Sequence, residues 1–178
     1  MKFNPQKHHR RSIRLREFDY TQPGGYFVTI VTLHRDSLFG HIVNEEMQLN
    51  EMGNIADECW RAIPIHFPNV ELGAYVIMPN HVHGIIVINE TVGARHVSPL
   101  QKPSNPRGFK RSSVGAIIAS FKSAVTRGIG SEHNASGIWQ RNYYEHVIRN
   151  SEDWDRIHRY IESKPSIWAE DEENPINS

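Results

Sequence analysis

Two histidines separated by one valine, His81 and His83, open a strongly β-prone run, MPNHVHGIIVI, at residues 78–88. Side chains alternate across a strand with period two, so both imidazoles share one face and Val82 takes the other. Neutral imidazole is a good ligand for Zn, Mn, Co and Ni, which makes the pair half of a metal site. The competing reading is two polar residues that finish a strand and bond to a loop. With eleven histidines in the chain, one such spacing can arise by chance. A third ligand or a chemical partner is needed before the pair becomes a mechanism. The candidate partner is Tyr160, in DRIHRYIESKP, which on a helix shares a face with Ile157 and Lys164 and lies beside Ile161. A phenol is a poor nucleophile at neutral pH. A metal or cationic neighbour favours its anion, and a phosphate held on that metal is a better electrophile. The commoner fate of a helical tyrosine is to pack with its hydroxyl wet. Tyr143 and Tyr144 compete for the same role, and spacing alone does not choose among the three.

These side chains need a frame. The runs GYFVTIVTL (25–33) and ELGAYVIM (71–78) read as strands, and the second forms a hairpin with the histidine strand through a turn at Pro79-Asn80. The GIIVI stretch is apolar on both faces, as in a strand covered on both sides. Residues 37–50 read as a small hairpin turning at Asn44-Glu45. Ile55, Cys59, Ala62, Ile63 and Phe67 recur at helical spacing over 51–67, with Pro64 weakening the far end. Residues 90–112 read as a mobile loop rich in Pro, Gly, Ser and Arg. The spacing predicts a helix over 113–127, with Ile117, Phe121, Ala124 and Val125 inward and Lys122 and Arg127 outward, then a loop over 128–137 and a strand over 138–148. Ser151 is read as the cap of a last helix, carrying Trp154, Ile157, Tyr160 and Ile161 and ended by Pro165. Strand, helix, strand, strand, helix, strand is the α+β, ferredoxin-like split βαβ order. Here it carries an added small hairpin and a C-terminal helix bearing the tyrosine. Its first and third strands are central, which places the histidine pair mid-sheet.

At 178 residues the chain fits a single domain with a real core. A mean hydropathy of −0.54 and the lack of a span-length apolar run describe a soluble protein. The N-terminus has no apolar h-region, and the lone Cys59 cannot form an internal disulfide. Both suit a cytoplasmic location and no membrane partner. Net charge is zero, but its distribution is uneven. Residues 1–16 form a basic arm with Lys2, Lys7, Arg10, Arg11, Arg14 and Arg16 and no acid. Arg107, Lys110, Arg111, Lys122 and Arg127 form a second group, and acid collects in AEDEENP. Arm and helix together could track a phosphate backbone; the plainer alternative is a solvated tail and a solvated helix face.

Three stretches carry a resemblance. YVIMPNHVHGIIVI is similar to a histidine–hydrophobic–histidine strand, WQRNYYEHVIRN to the strand leading into a catalytic helix, and RIHRYIESKPSIWAED to that helix with the proline and tryptophan after it. Together they resemble the REP-associated tyrosine transposases, within the HUH single-tyrosine superfamily, over residues 8–171. The resemblance implies that His81 and His83 hold Mg²⁺ or Mn²⁺ against the scissile phosphate of single-stranded DNA with hairpin structure. It implies that Tyr160 attacks that phosphate to give a 5′-phosphotyrosine and a free 3′-hydroxyl. Arg10, Arg11, Arg14, Lys122 and Arg127 would contact the DNA backbone, and the protein would act as a monomer or homodimer. One position departs from the pattern. Lys164 stands where the family usually has Gln or Asn, and an ammonium has no lone pair for a metal. Either Lys164 grips the phosphate while Glu162 or Asn80 assists the metal, or the protein is a weakened enzyme retained as a binder of DNA hairpins. A metal-dependent hydrolase working through a metal-bound water is the third reading.

Overall fold

The computed structural model describes residues 19–90, 112–133 and 137–177. The Arg10, Arg11 and Arg14 arm and most of the expected 90–112 loop lie outside them. Strands β1 (Gly24–Val31), β4 (Val70–Ile77), β5 (His81–Ile88) and β6 (Tyr144–Ile148) form one antiparallel sheet in the order β4-β5-β1-β6. The first and third of these are central, as the split βαβ order requires. The small hairpin is β2 (Gly40–Val43) and β3 (Glu46–Leu49), joined through Asn44 and Glu45 at φ 50° and 65°.

Each face of the sheet has its own core, because alternate residues of β1 and β5 point opposite ways. Tyr26, Val28, Ile30, Val82 and Ile86 pack under helices α1 (Glu51–Arg61) and α3 (Val114–His133), with Trp60 and Phe121 buried between the layers. Gly84 is required there: a Cβ would stand 2.2 Å from Cζ2 of Trp60. On the other face Phe27 and Ile85 meet Ile157 and Ile161 of α4 (Ser151–Ser163). The face carrying His81 and His83 is thus the face α4 covers.

Several expectations are corrected. The helix expected over 51–67 breaks at Ala62 into α1 and the short α2 (Ile63–His66), with Pro64 in the first turn of α2, where a missing N–H costs nothing. Residues 128–133 are helix, not loop. Ile129 is fully buried and continues the Ile117, Phe121, Val125 stripe, and Gly128 lets α3 close on Ile55, whose Cγ2 would lie 2.7 Å from an added Cβ. The strand expected from Ile138 begins at Tyr144, preceded by one isolated bridge between Thr32 and Trp139. The cap of α4 is Asn150, whose side chain accepts from the Asp153 N–H; Ser151 is the first helical residue. Among the described residues, no helix is long and apolar enough to cross a membrane.

Candidate active site

The β4–β5 turn closes with a Met78 N–H bond to the His81 carbonyl, 2.8 Å, and delivers both imidazoles to the α4 face. They are not open to solvent as a position beside a turn suggests. His81 is 0% and His83 3% exposed, because the segment after α4 folds back over them. Trp168 lies 6.0 Å from the His81 ring, and Asp171 Oδ2 is 3.8 Å from His81 Nε2.

Hydrogen bonds fix the tautomer of His81. Asn80 Nδ2 donates to the carbonyls of Arg35 and Glu173, so its Oδ1 faces His81 Nδ1 at 2.8 Å. An amide oxygen only accepts, so Nδ1 carries the proton and Nε2 carries a lone pair. His83 Nδ1 shares a 2.9 Å hydrogen bond with Thr29 Oγ1. Both Nε2 atoms are buried without a hydrogen-bond partner among the described residues. Burial pushes the His81 pKa down to about 4, with Asp171 pulling it up and Lys164 down. His83 is held well below its ordinary value by burial, then by His81 and Lys164. Both rings are therefore neutral at neutral pH. One ligand atom from each of His81, His83 and Asp171 lies within 4.8 Å of the others. The lone pair of His81 Nε2, the unpartnered His83 Nε2, which carries a lone pair when Nδ1 donates to Thr29, and one carboxylate fit a divalent cation, each ring being held by a second hydrogen bond.

Tyr160 stands beside this group. Its ring centroid is 5.3 Å from that of His83 and 5.9 Å, edge-on, from that of Phe27. A cavity of about 510 Å³ opens here, lined by His83 of β5, by Arg156 and Tyr160 one turn apart on α4, by Asp171, and by Tyr144 and His146 of β6. Tyr144 shares the sheet face and is 40% exposed, whereas Tyr143 packs against the opposite core. Lys164 is buried, with Nζ 2.9 Å from Asp171 Oδ2 and 4.4 Å from the centre of the Tyr160 ring. Burial works to lower its pKa, but hydrogen bonding to Tyr160 and Asp171 outweighs this and lifts it above the ordinary lysine value. The ammonium stays charged inside the site.

The structure thus brings His81, His83, Tyr160 and Lys164 together. It does not bring in Glu162, which is exposed, pairs with His158 and lines a separate groove. Asn80 orients His81 through its only free oxygen. Lys122 is not outward: its Nζ donates to the carbonyls of Gln140 and Asn142 at 2.8 and 3.0 Å. Arg127 is exposed, with Nη1 on Ser123. Asp171 and Thr29 escape sequence reasoning. Asp171 lies in an irregular segment where no period assigns a direction, and its only signal is its place in the WAED run after the tyrosine helix.

No family model matches the chain. A Haemophilus influenzae protein that carries no functional name is 43% identical over 173 residues, covering 96% of each chain. A second Haemophilus influenzae protein, named "Putative REP-associated tyrosine transposase", is 27% identical over 157 residues, covering 83% of this chain and 73% of its own. A solved REP-associated tyrosine transposase bound to a REP hairpin superposes with a TM-score of 0.58 at 19% identity, over 86% of this chain and 73% of that one, and shares the fold. The fold the two share is an α+β one built on one antiparallel sheet of four strands. The chain is thus similar in sequence to one protein named as a REP-associated tyrosine transposase and similar in fold to another.

Proposed function

We propose that the protein nicks and rejoins single-stranded DNA at hairpins through a covalent link to Tyr160. The observation that carries this reading is the convergence of two partnerless imidazole nitrogens and a tyrosine ring 5.3 Å from one of them, with His83 and Tyr160 on the wall of one cavity. Relationship to REP-associated transposases, one of them bound to a REP hairpin, supports the substrate class. Mg²⁺ or Mn²⁺ held by His81, His83 and Asp171 would place positive charge on a phosphate oxygen and ease attack at phosphorus. Tyr160 attacks, the bond to the 3′-oxygen breaks, and a 5′-phosphotyrosine remains with a free 3′-hydroxyl. Attack by another 3′-hydroxyl reverses the step, and no ATP is needed because the ester stores the bond energy. Phe27 and His83 buttress the tyrosine ring, and Lys164 offers its ammonium to the phenolate that forms as Tyr160 gives up its proton. Incubating the protein with hairpin-bearing single strands and Mn²⁺ tests the reading. The expected product is an adduct that survives denaturation, and its absence across a broad hairpin library overturns the proposal.

One observation favours a second reading, a hairpin binder with little catalysis. Lys164 already occupies the Asp171 carboxylate, so its charge opposes a cation there. Unit charges about 4 Å apart repel by about 4 kcal/mol at an effective dielectric near 20. Lys164→Gln frees the carboxylate and is expected to tighten Mn²⁺ binding by at least about tenfold, a conservative share of that repulsion. Adduct formation titrated against Mn²⁺ separates the readings. At saturating metal, slower cleavage by Lys164→Gln supports a lysine that assists the reaction, and faster cleavage supports a weakened site. Unchanged metal affinity would place the cation elsewhere.

We also propose that the basic arm and Arg127 contact the DNA backbone. Deleting residues 1–16 removes six positive charges. If about three of them neutralise single-strand phosphates, the slope of log K against log salt flattens by roughly 2. An unchanged slope would leave the arm as a solvated tail.

A further inference from the structure

The β6 side of the cavity holds a second histidine arrangement that the mechanism above does not use. His146 sits on β6, in register with Phe27 of β1. Its Nε2 lies 2.7 Å from Asp153 Oδ2. Asp153 is itself fixed: its N–H bonds the Asn150 cap at 2.8 Å, and its carboxylate also takes Arg156. The hydrogen bond from His146, ahead of that from Arg156, holds the Asp153 carboxyl below its ordinary pKa, so the acceptor is ionised. A carboxylate braced in this way orients the imidazole. The other ring nitrogen, Nδ1, makes no hydrogen bond to any described residue, and the side chain is 34% exposed.

Position gives this pair a role. Tyr160 reaches Phe27 and His83, which is the β1–β5 side of the sheet, while His146 stands on β6 across β1. Both line the same cavity of about 510 Å³. In phosphoryl transfer the attacking and leaving oxygens lie roughly in line on opposite sides of phosphorus. A phosphate attacked from the Tyr160 side therefore directs its leaving oxygen toward the β6 wall. An alkoxide leaves badly unless a proton reaches it, and imidazole is the side chain best suited to supply one near neutral pH.

Building on the Tyr160 reaction, we propose that His146, positioned by Asp153, is the general acid for the leaving 3′-oxygen. The bond from Tyr160 Oη to phosphorus forms and the bond from phosphorus to O3′ breaks. The phenol proton passes to water, and the departing oxygen takes its proton from the imidazolium of His146. Rejoining reverses the transfer: neutral His146 accepts the proton of the incoming 3′-hydroxyl. The His146–Asp153 bond also ties β6 to α4, so loss of activity on mutation would not by itself distinguish catalysis from bracing.

The test uses a leaving group that needs no proton. Wild type, His146→Gln and Asp153→Asn are assayed for Mn²⁺-dependent adduct formation on one hairpin substrate. The substrate is made twice, with the ordinary 3′-oxygen and with a bridging 3′-sulfur, which departs as a stable thiolate. On the oxygen substrate His146→Gln is expected to be about 100-fold slower, the low end for a lost general acid, and Asp153→Asn about tenfold slower. On the sulfur substrate both should fall within about threefold of wild type, because no general-acid contribution remains to be lost. Equal losses on the two substrates would make the pair a structural brace and overturn the assignment. Undiminished cleavage of the oxygen substrate by His146→Gln would also overturn it. In both cases a wild-type adduct leaves the Tyr160 reading standing; no wild-type adduct on either substrate overturns both.

Discussion

Tyr160→Phe is expected to abolish the protein–DNA adduct while leaving the fold in place. The substitution removes one oxygen. The ring contacts survive it: the edge-on packing with Phe27, the contact with His83 and the Lys164 ammonium 4.4 Å from the ring centre. What is lost is the polar interaction of the hydroxyl with the buried ammonium, which keeps Asp171 as its partner at 2.9 Å. The cost is about 1 kcal/mol, which in a chain of this size lowers Tm by roughly 2–4 °C. The chemical effect is all-or-none, because no other atom of the residue can form the ester. Tyr144 is the informative control, since it lines the same cavity and is 40% exposed. Tyr144→Phe and Tyr143→Phe should both keep the adduct. Peptide mapping that finds DNA on Tyr144 would transfer the nucleophile to β6 and overturn the assignment to α4.

His81→Ala is expected to reduce cleavage at saturating DNA by more than about 100-fold, more than the 10–100-fold that loss of a metal ligand's supporting partner alone can cost. Hairpin affinity should change little, because phosphate contacts outside the cavity supply most of it. Removing a fully buried ring also destabilises the protein, so activity alone is an ambiguous readout. Metal binding gives the second one. A cation that binds only the folded protein adds about 2.7 kcal/mol of stability at 100 times its Kd. Mn²⁺ should therefore raise the Tm of wild type and not that of His81→Ala. Cleavage by the variant at the wild-type rate, or an equal Mn²⁺ shift in both proteins, would remove His81 from the metal set.

The parts of this site that follow a period could be read from the chain. Period two put His81 and His83 on one face of a strand, and in the structure both lie on the face that α4 covers. Period 3.6 put Tyr160 one turn before Lys164 and beside Ile161, and the helix keeps that register. Turn chemistry located the Asn44-Glu45 and Pro79-Asn80 connections. What depends on a neighbour distant in the chain could not be read this way. Gly128 and Gly130 look like loop residues until Ile55 of α1 is seen to need the room over Gly128. Lys122 looks like a solvated cation until the carbonyls of Gln140 and Asn142 arrive to take its protons. The placement of the three tyrosines was open because each of their elements has its own period, and only packing of α4 on β1 and β5 sets Tyr160 against His83. Asp171 was the most hidden. It belongs to an irregular segment, and its contact with Lys164 and approach to His81 exist only because the chain folds back after α4. Local periodicity specifies direction within an element; the meeting of elements is decided by burial and hydrogen-bond satisfaction across the whole fold.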